Sequence, residues 1–313
     1  MYPKKSETTR RLALAGAASA FLVTGIAAHA EMAAFSLPAM PAAAPVSASQ
    51  AVAAAAPAGV APAQQAPADT AKPAAMPPAA PIACTAPSEF AHFTRPLLHT
   101  ARRLASGEPL TVVAIGSSST AGAGASAPAA SYPSRLAVDL QQRFATPNIT
   151  VLNRGVNGEE TEDTMARFDT AVIAEHPQLV LWQVGTNSVL RDHPLKEHAV
   201  ELREGIDELK AIGTDVLLID PQYAPKVLAK SETPGMVEQI AAEAKQENVD
   251  LFQRFAVMRD WYEVQHLSFD VFVSPDGLHM NDWGYACWAT ILANGIAEAA
   301  TRPIASAAAH ARR

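Results

Sequence analysis

The stretch LTVVAIGSSST, residues 110–120, decides the reading of the fold. Its first six residues are apolar apart from one threonine, and four of them are β-branched. The run then breaks at Gly116 into serines. A short apolar run that does not alternate with polar residues marks a strand buried on both faces. Four similar runs follow: Ile149–Asn153, LVLWQV at 179–184, DVLLI at 215–219 and Val249–Phe252. Between and after them lie helical patterns at Ser131–Phe144, Glu162–Glu175, Leu195–Ala211, about Pro234–Glu247, Phe255–Gln265 and about Asp282–Ala300. Strands alternating with helices predict a parallel five-stranded sheet covered on both sides, a three-layer αβα flavodoxin-like sandwich.

The rest of the chain is of another kind. Residues 31–83 hold 23 Ala and 10 Pro, with Phe35 as the sole aromatic residue. Such a segment cannot bury enough surface to offset the entropy of ordering it, and it reads as a disordered tether. Before it, Lys4, Lys5, Arg10 and Arg11 precede an apolar run from Leu12 to Ala28, and Ala28-His29-Ala30 is a small-x-small site. Residues 1–30 therefore read as a signal peptide, with no stable membrane span after cleavage; the run is short for a retained anchor. The paired arginines leave general and twin-arginine export both open. The expected location is periplasmic or secreted, and residues 84–313 form the expected folded domain.

Of the formal net charge of −7, the segment 84–313 carries −9. Without a Lys/Arg run, an acidic body of this kind is a poor match for a nucleic-acid backbone and suits a small or neutral substrate. The chain has two cysteines, Cys84 at the start of the folded part and Cys287 near its end. An oxidising compartment permits a disulfide between them; the alternative is two buried thiols. No metal-ligand or cofactor motif stands out.

In open α/β sheets the chemistry lies beyond the carboxyl ends of the strands. After the first strand comes Gly116-Ser117-Ser118-Ser119-Thr120; a glycine turn there presents a hydroxyl at the sheet edge. By itself it also suits phosphate or flavin binding. After the second come Asn153 to Thr161, with Gly155 and Gly158 able to offer backbone N–H donors. After the third, Asn187 in Gly185-Thr186-Asn187-Ser188 offers a side-chain amide. Asp220, Gln222 and Tyr223 follow the fourth and are candidates for lining a substrate pocket, Gln222 and Tyr223 foremost; the alternative is a plain turn around Pro221. Near the end, Asp276 and His279 share the turn Ser274-Pro275-Asp276-Gly277-Leu278-His279. A hydroxyl, an imidazole, a carboxylate to orient it and donors for an oxyanion are what acyl transfer by serine requires.

These segments, in this order, resemble blocks one, two, three and five of the SGNH/GDSL hydrolase superfamily, over about Leu110 to Ala300. The resemblance implies a serine esterase or lipase-like hydrolase with no cofactor. It implies Ser118 as nucleophile, His279 as base, Asp276 as its orienting carboxylate, and Ser118 N–H, Gly158 N–H and Asn187 as the oxyanion hole; Gly155 is the alternative to Gly158. Two positions depart from the pattern. Ser117 stands where the family often has aspartate, and Ser188 replaces the aspartate that often follows the block-three asparagine. Neither carries the proton transfer. The absence of a long apolar lid suggests short acyl or acetyl groups on polar alcohols such as carbohydrates. Acyl transfer to a sugar, a flavin- or phosphate-binding protein and an inactive scaffold on the same sheet are the competing expectations.

Overall fold

The computed structural model describes residues 81–303. The export segment read at 1–30 and all but the last three residues of the tether read at 31–83 lie outside the described residues. Among the described residues, no helix is long and apolar enough to cross a membrane.

Five strands form one sheet: β1 Leu110–Gly116, β2 Ile149–Gly155, β3 Leu179–Gln183, β4 Asp215–Ile219 and β5 Asp250–Phe252. Their order is β2-β1-β3-β4-β5, and every pairing is parallel. Side chains alternate across a strand, so each run divides between two cores. Val112, Ala114, Leu179, Leu181, Leu217 and Ile219 face one layer, built from the helices Tyr132–Arg143, Arg254–Glu263 and Asp282–Thr301. Val113, Ile115, Val180, Trp182, Val216 and Leu218 face the other, built from Leu195–Ala211, Thr233–Gln246 and the segment around Phe168. Both faces are apolar because both are covered, which is why the strands read as continuous runs.

Two differences from the sequence reading have local causes. Residues 162–175 do not form one helix but short pieces, Thr161–Met165, Phe168–Ala171 and a 3-10 turn at Ile173–Glu175. Arg167 leaves helical geometry at φ −109°, ψ 2°. Its guanidinium donates to the Arg154 carbonyl and, bidentately, to the Glu159 carboxylate at 2.6 and 2.7 Å. A further helix, Leu98–Ser106, precedes the sheet and ends on Gly107 in the left-handed conformation. The Asp215 carboxylate fastens it by accepting from the Thr100 N–H and hydroxyl at 2.9 and 2.8 Å.

Cys84 and Cys287 are joined by a disulfide across 203 residues of sequence. It clips the start of the described chain to the last helix. A loop of that length corresponds to a chain-entropy stabilisation of about 5 kcal/mol, and native disulfides typically contribute ~2–5 kcal/mol. Reduction, or the pair Cys84→Ser and Cys287→Ser, is expected to lower Tm by roughly 5–15 °C. Calorimetry with and without reductant checks this; an unchanged Tm overturns it.

Candidate active site

The strand order puts β1 between β2 and β3, so the loop after β1 has the β2 loop on one side and the β3 loop on the other. Ser118 opens a one-turn helix, Ser118–Ala121, directly beyond β1. Gly155, at the end of β2, pairs with Gly116. A Cβ on Gly155 would lie 2.1 Å from the Ala121 nitrogen, so only glycine lets β2 pass this turn. The Gly155 N–H is already engaged by the Asn153 side chain at 2.9 Å. Gly158, three residues on, donates its N–H to no acceptor among the described residues. Of the two glycines, Gly158 is thus the one with a donor to offer.

Asn187 lies in the one-turn helix Thr186–Leu190 beyond β3 and donates its side-chain amide to the Glu159 carbonyl at 2.8 Å. The β2 and β3 loops are thereby tied together beside Ser118. Glu159 is itself held by Arg167, and Glu160 by Arg191 at 2.9 Å.

His279 comes from the other end of the chain. Residues 274–279 form a tight loop closed by an antiparallel bridge between Val273 and Met280. The His279 Nε2 lies 2.7 Å from the Ser118 hydroxyl, and its Nδ1 lies 2.5 Å from Asp276 Oδ2. The other Asp276 oxygen accepts from the Ser274 hydroxyl and from the Leu278 and His279 N–H groups at 2.7–2.9 Å. Partial burial opposes ionisation of Asp276, but the bonds from His279, Leu278 and Ser274 outweigh it and hold the carboxyl well below the usual range. A fixed carboxylate on Nδ1 places the proton there and leaves Nε2 to accept from Ser118. Gly124, at φ +87°, packs against this loop: a Cβ would lie 2.4 Å from the Met280 carbonyl and 2.9 Å from the His279 Cβ.

Ser118, Asp276 and His279 are brought together, with Gly158 and Asn187 on flanking loops. Gln222 and Tyr223 require correction as pocket-lining residues. Gln222 is fully buried, accepting from the Thr186 hydroxyl and donating to the Leu278 carbonyl. Tyr223 is buried against Phe255 and Phe269 and donates to Glu263 at 2.8 Å. A polar residue after a buried strand reads equally well as facing outward or inward; here the chain folds back beneath the 274–279 loop, and both point inward. The donors of Ser117 also point inward: its N–H and hydroxyl both reach Gln183 Oε1 at 3.0 and 3.1 Å. That leaves the loop poor in donors for a phosphate. A cavity of about 600 Å³, lined by His99, Arg102, His176 and Gly213, lies at the amino ends of the strands, opposite Ser118.

Beneath the carboxyl edge of the sheet sit Arg254, which sequence reasoning missed, and Asp220. Arg254 is fully buried and makes no ion pair with a carboxylate among the described residues, donating to the Asp220 carbonyl at 2.8 Å and lying 5.1 Å over the Trp288 ring. Burial pushes it down to about 10. Burial likewise raises Asp220 to about 7, against the Phe255 N–H and the Arg254 charge, which favour its ionised form. The unfolded carboxyl ionises near 3.9. The stability associated with Asp220 is therefore full below about pH 4 and is lost as pH rises through about 7. Asp220→Asn is expected to flatten the fall of Tm between these limits; parallel Tm profiles for the two proteins would overturn the assignment.

The model of the Non-GDSL lipase-like family matches residues 83–302. An acetylxylan esterase of Geobacillus stearothermophilus is 28% identical over 127 residues, covering 36% of this chain and 58% of the relative. Among solved structures, a two-domain esterase (CEX) active on acetylated mannans superposes with a TM-score of 0.59 at 18% identity, over 69% of this chain and 57% of that one. A variant of Axe2, an acetyl-xylooligosaccharide esterase from Geobacillus, gives 0.51 at 20% identity, over 63% and 96%. The chain thus spans less than three fifths of the acetylxylan esterase and of the two-domain esterase, and the structural likenesses establish the fold. With the family match covering nearly all the described residues, the chain belongs to the Non-GDSL lipase-like family, within the SGNH/GDSL-like hydrolases.

Proposed function

We propose that the protein is an exported serine hydrolase that removes acetyl or other short acyl groups from carbohydrates. The hydrogen-bonded chain Ser118–His279–Asp276 carries this reading. His279 takes the Ser118 proton at Nε2 as Oγ attacks the ester carbonyl, and Asp276 stabilises the imidazolium. The Ser118 N–H, Gly158 N–H and Asn187 amide receive the oxyanion. Collapse of the tetrahedral intermediate expels the alcohol, which takes the proton from His279. Water, activated by the same imidazole, then releases the acid and frees Ser118. The acetylated xylan and mannan substrates of the relatives support a carbohydrate ester. The basic and apolar segment before Ala30 supports export.

The test is release of acetate from acetylated xylooligosaccharides and mannooligosaccharides, beside p-nitrophenyl esters of increasing chain length. Acetyl esters should turn over faster than long-chain ones; the reverse order would overturn the short-acyl assignment. Asn187→Ala is expected to lower kcat by about 10²–10³-fold, the effect of losing one oxyanion donor. An unchanged kcat removes Asn187 from that role.

A further inference from the structure

We propose that Gln222 is a positioning residue that, through Thr186 and Gln183, fixes the His279 loop to the nucleophile loop. The proposal rests on the serine-hydrolase reading above.

Ser118 and His279 lie 161 residues apart and meet through a single hydrogen bond. A second, buried connection runs underneath. The Gln183 side-chain oxygen, at the end of β3, accepts from the Ser117 N–H, the Ser117 hydroxyl and the Thr120 hydroxyl at 3.0–3.2 Å. It thereby grips the nucleophile turn on both sides of Ser118. The Gln183 amide nitrogen reaches Thr186 Oγ1 at 3.5 Å. The Thr186 hydroxyl donates to Gln222 Oε1 at 2.9 Å, and Gln222 Nε2 donates to the Leu278 carbonyl at 3.2 Å, one residue before His279. Gln183, Thr186 and Gln222 are at most 3% exposed. Hydrogen bonds this deep have no water to replace them, so their geometry is enforced.

Direction matters in this chain. The Leu278 N–H is already bound by Asp276, which fixes the loop from outside. Gln222 holds the carbonyl of the same residue from inside, so the two clamp the Leu278–His279 segment. Arg254 adds a donor to Thr186 at 3.4 Å, which favours the hydroxyl pointing its own proton at Gln222. Among the described residues Gln222 makes no hydrogen bond to Ser118 or to the His279 ring, so its effect passes through backbone placement.

Gln222→Met keeps the side-chain length and removes both bonds. A displacement of about 1 Å in a reacting group costs up to ~10²-fold, so kcat should fall about 10–100-fold with KM changed less than about twofold. Because Gln222 acts through His279, the same change in a His279→Asn background should cost almost nothing further. Thr186→Val, nearly isosteric, should reproduce the loss, and Thr186→Ser should restore kcat to within about twofold. An activity-independent readout is the low-field Nδ1–H proton of His279 in the NMR spectrum, which Gln222→Met should shift or broaden while the tryptophan indole signals stay dispersed. Native kcat in both Gln222→Met and Thr186→Val overturns the proposal. So does an equal loss in the His279→Asn background, which marks a general effect on the fold. If the native protein hydrolyses no ester, the functional reading fails, and the proton resonance alone decides the positioning claim: shifted supports it, unchanged overturns it.

Discussion

Ser118→Ala is expected to lower kcat for acetyl esters by about 10⁴–10⁶-fold with Tm unchanged. The Ser118 side chain is half-buried, and its one hydrogen bond among the described residues is to His279. The turn that carries it is held by the neighbouring Ser117 through Gln183, so removing the hydroxyl leaves the local structure in place. What disappears is the attacking oxygen, and with it the covalent intermediate. The remaining rate would come from the oxyanion donors and from bound water. Initial rates on p-nitrophenyl acetate, with active-site titration for the native protein, check this. An unimpaired variant would sink the assignment of the nucleophile.

Asp276→Asn should cost about 10⁴-fold in kcat, again with the fold retained. The asparagine oxygen can still accept from the Ser274 hydroxyl and from the Leu278 and His279 N–H groups, which now converge on one Asp276 oxygen. The other oxygen becomes an amide donor facing His279 Nδ1. The imidazole must then accept at Nδ1 and carry its proton on Nε2, the atom that faces Ser118. In that tautomer it cannot take the hydroxyl proton. The Asp276 side chain is 42% exposed, so the loss is one of orientation and charge and not of core packing. A rate within tenfold of native would show that Asp276 does not set the tautomer. Circular dichroism superposable on the native spectrum would exclude unfolding as the cause.

Much of this architecture is legible in the residues because burial on two faces leaves a plain mark. The runs at 110–115, 179–184 and 215–219 could not be solvated strands, and Leu195–Ala211 has the spacing of a helix on one apolar face. The loops beyond these strands were equally readable, since Ser118, Asn187 and the Asp276/His279 pair each follow a break in an apolar pattern. What was not legible is which way a polar side chain turns. Gln183 ends an apolar strand and Gln222 follows one, yet both point inward and bind loops distant in sequence. Arg254 lies one residue before the helical pattern read at Phe255–Gln265 and is wholly buried. The break in residues 162–175 depends on where Arg167 finds the Glu159 carboxylate, a contact no helical period encodes. Pattern records burial of apolar groups; pairing of polar ones depends on the finished fold.

The meeting of Ser118 with His279 also sets an order in time. Ser118 lies just after β1, the first strand, while His279 arrives with the loop before the last helix. Contacts between such distant segments form late, because the intervening chain must be ordered first. A partly synthesised protein therefore holds Ser118 without His279 beside it. The Asp282–Thr301 helix follows His279 directly, and Cys84 is bonded to Cys287 on that same helix, so the segment that brings the imidazole to Ser118 is the one clipped to the start of the described chain.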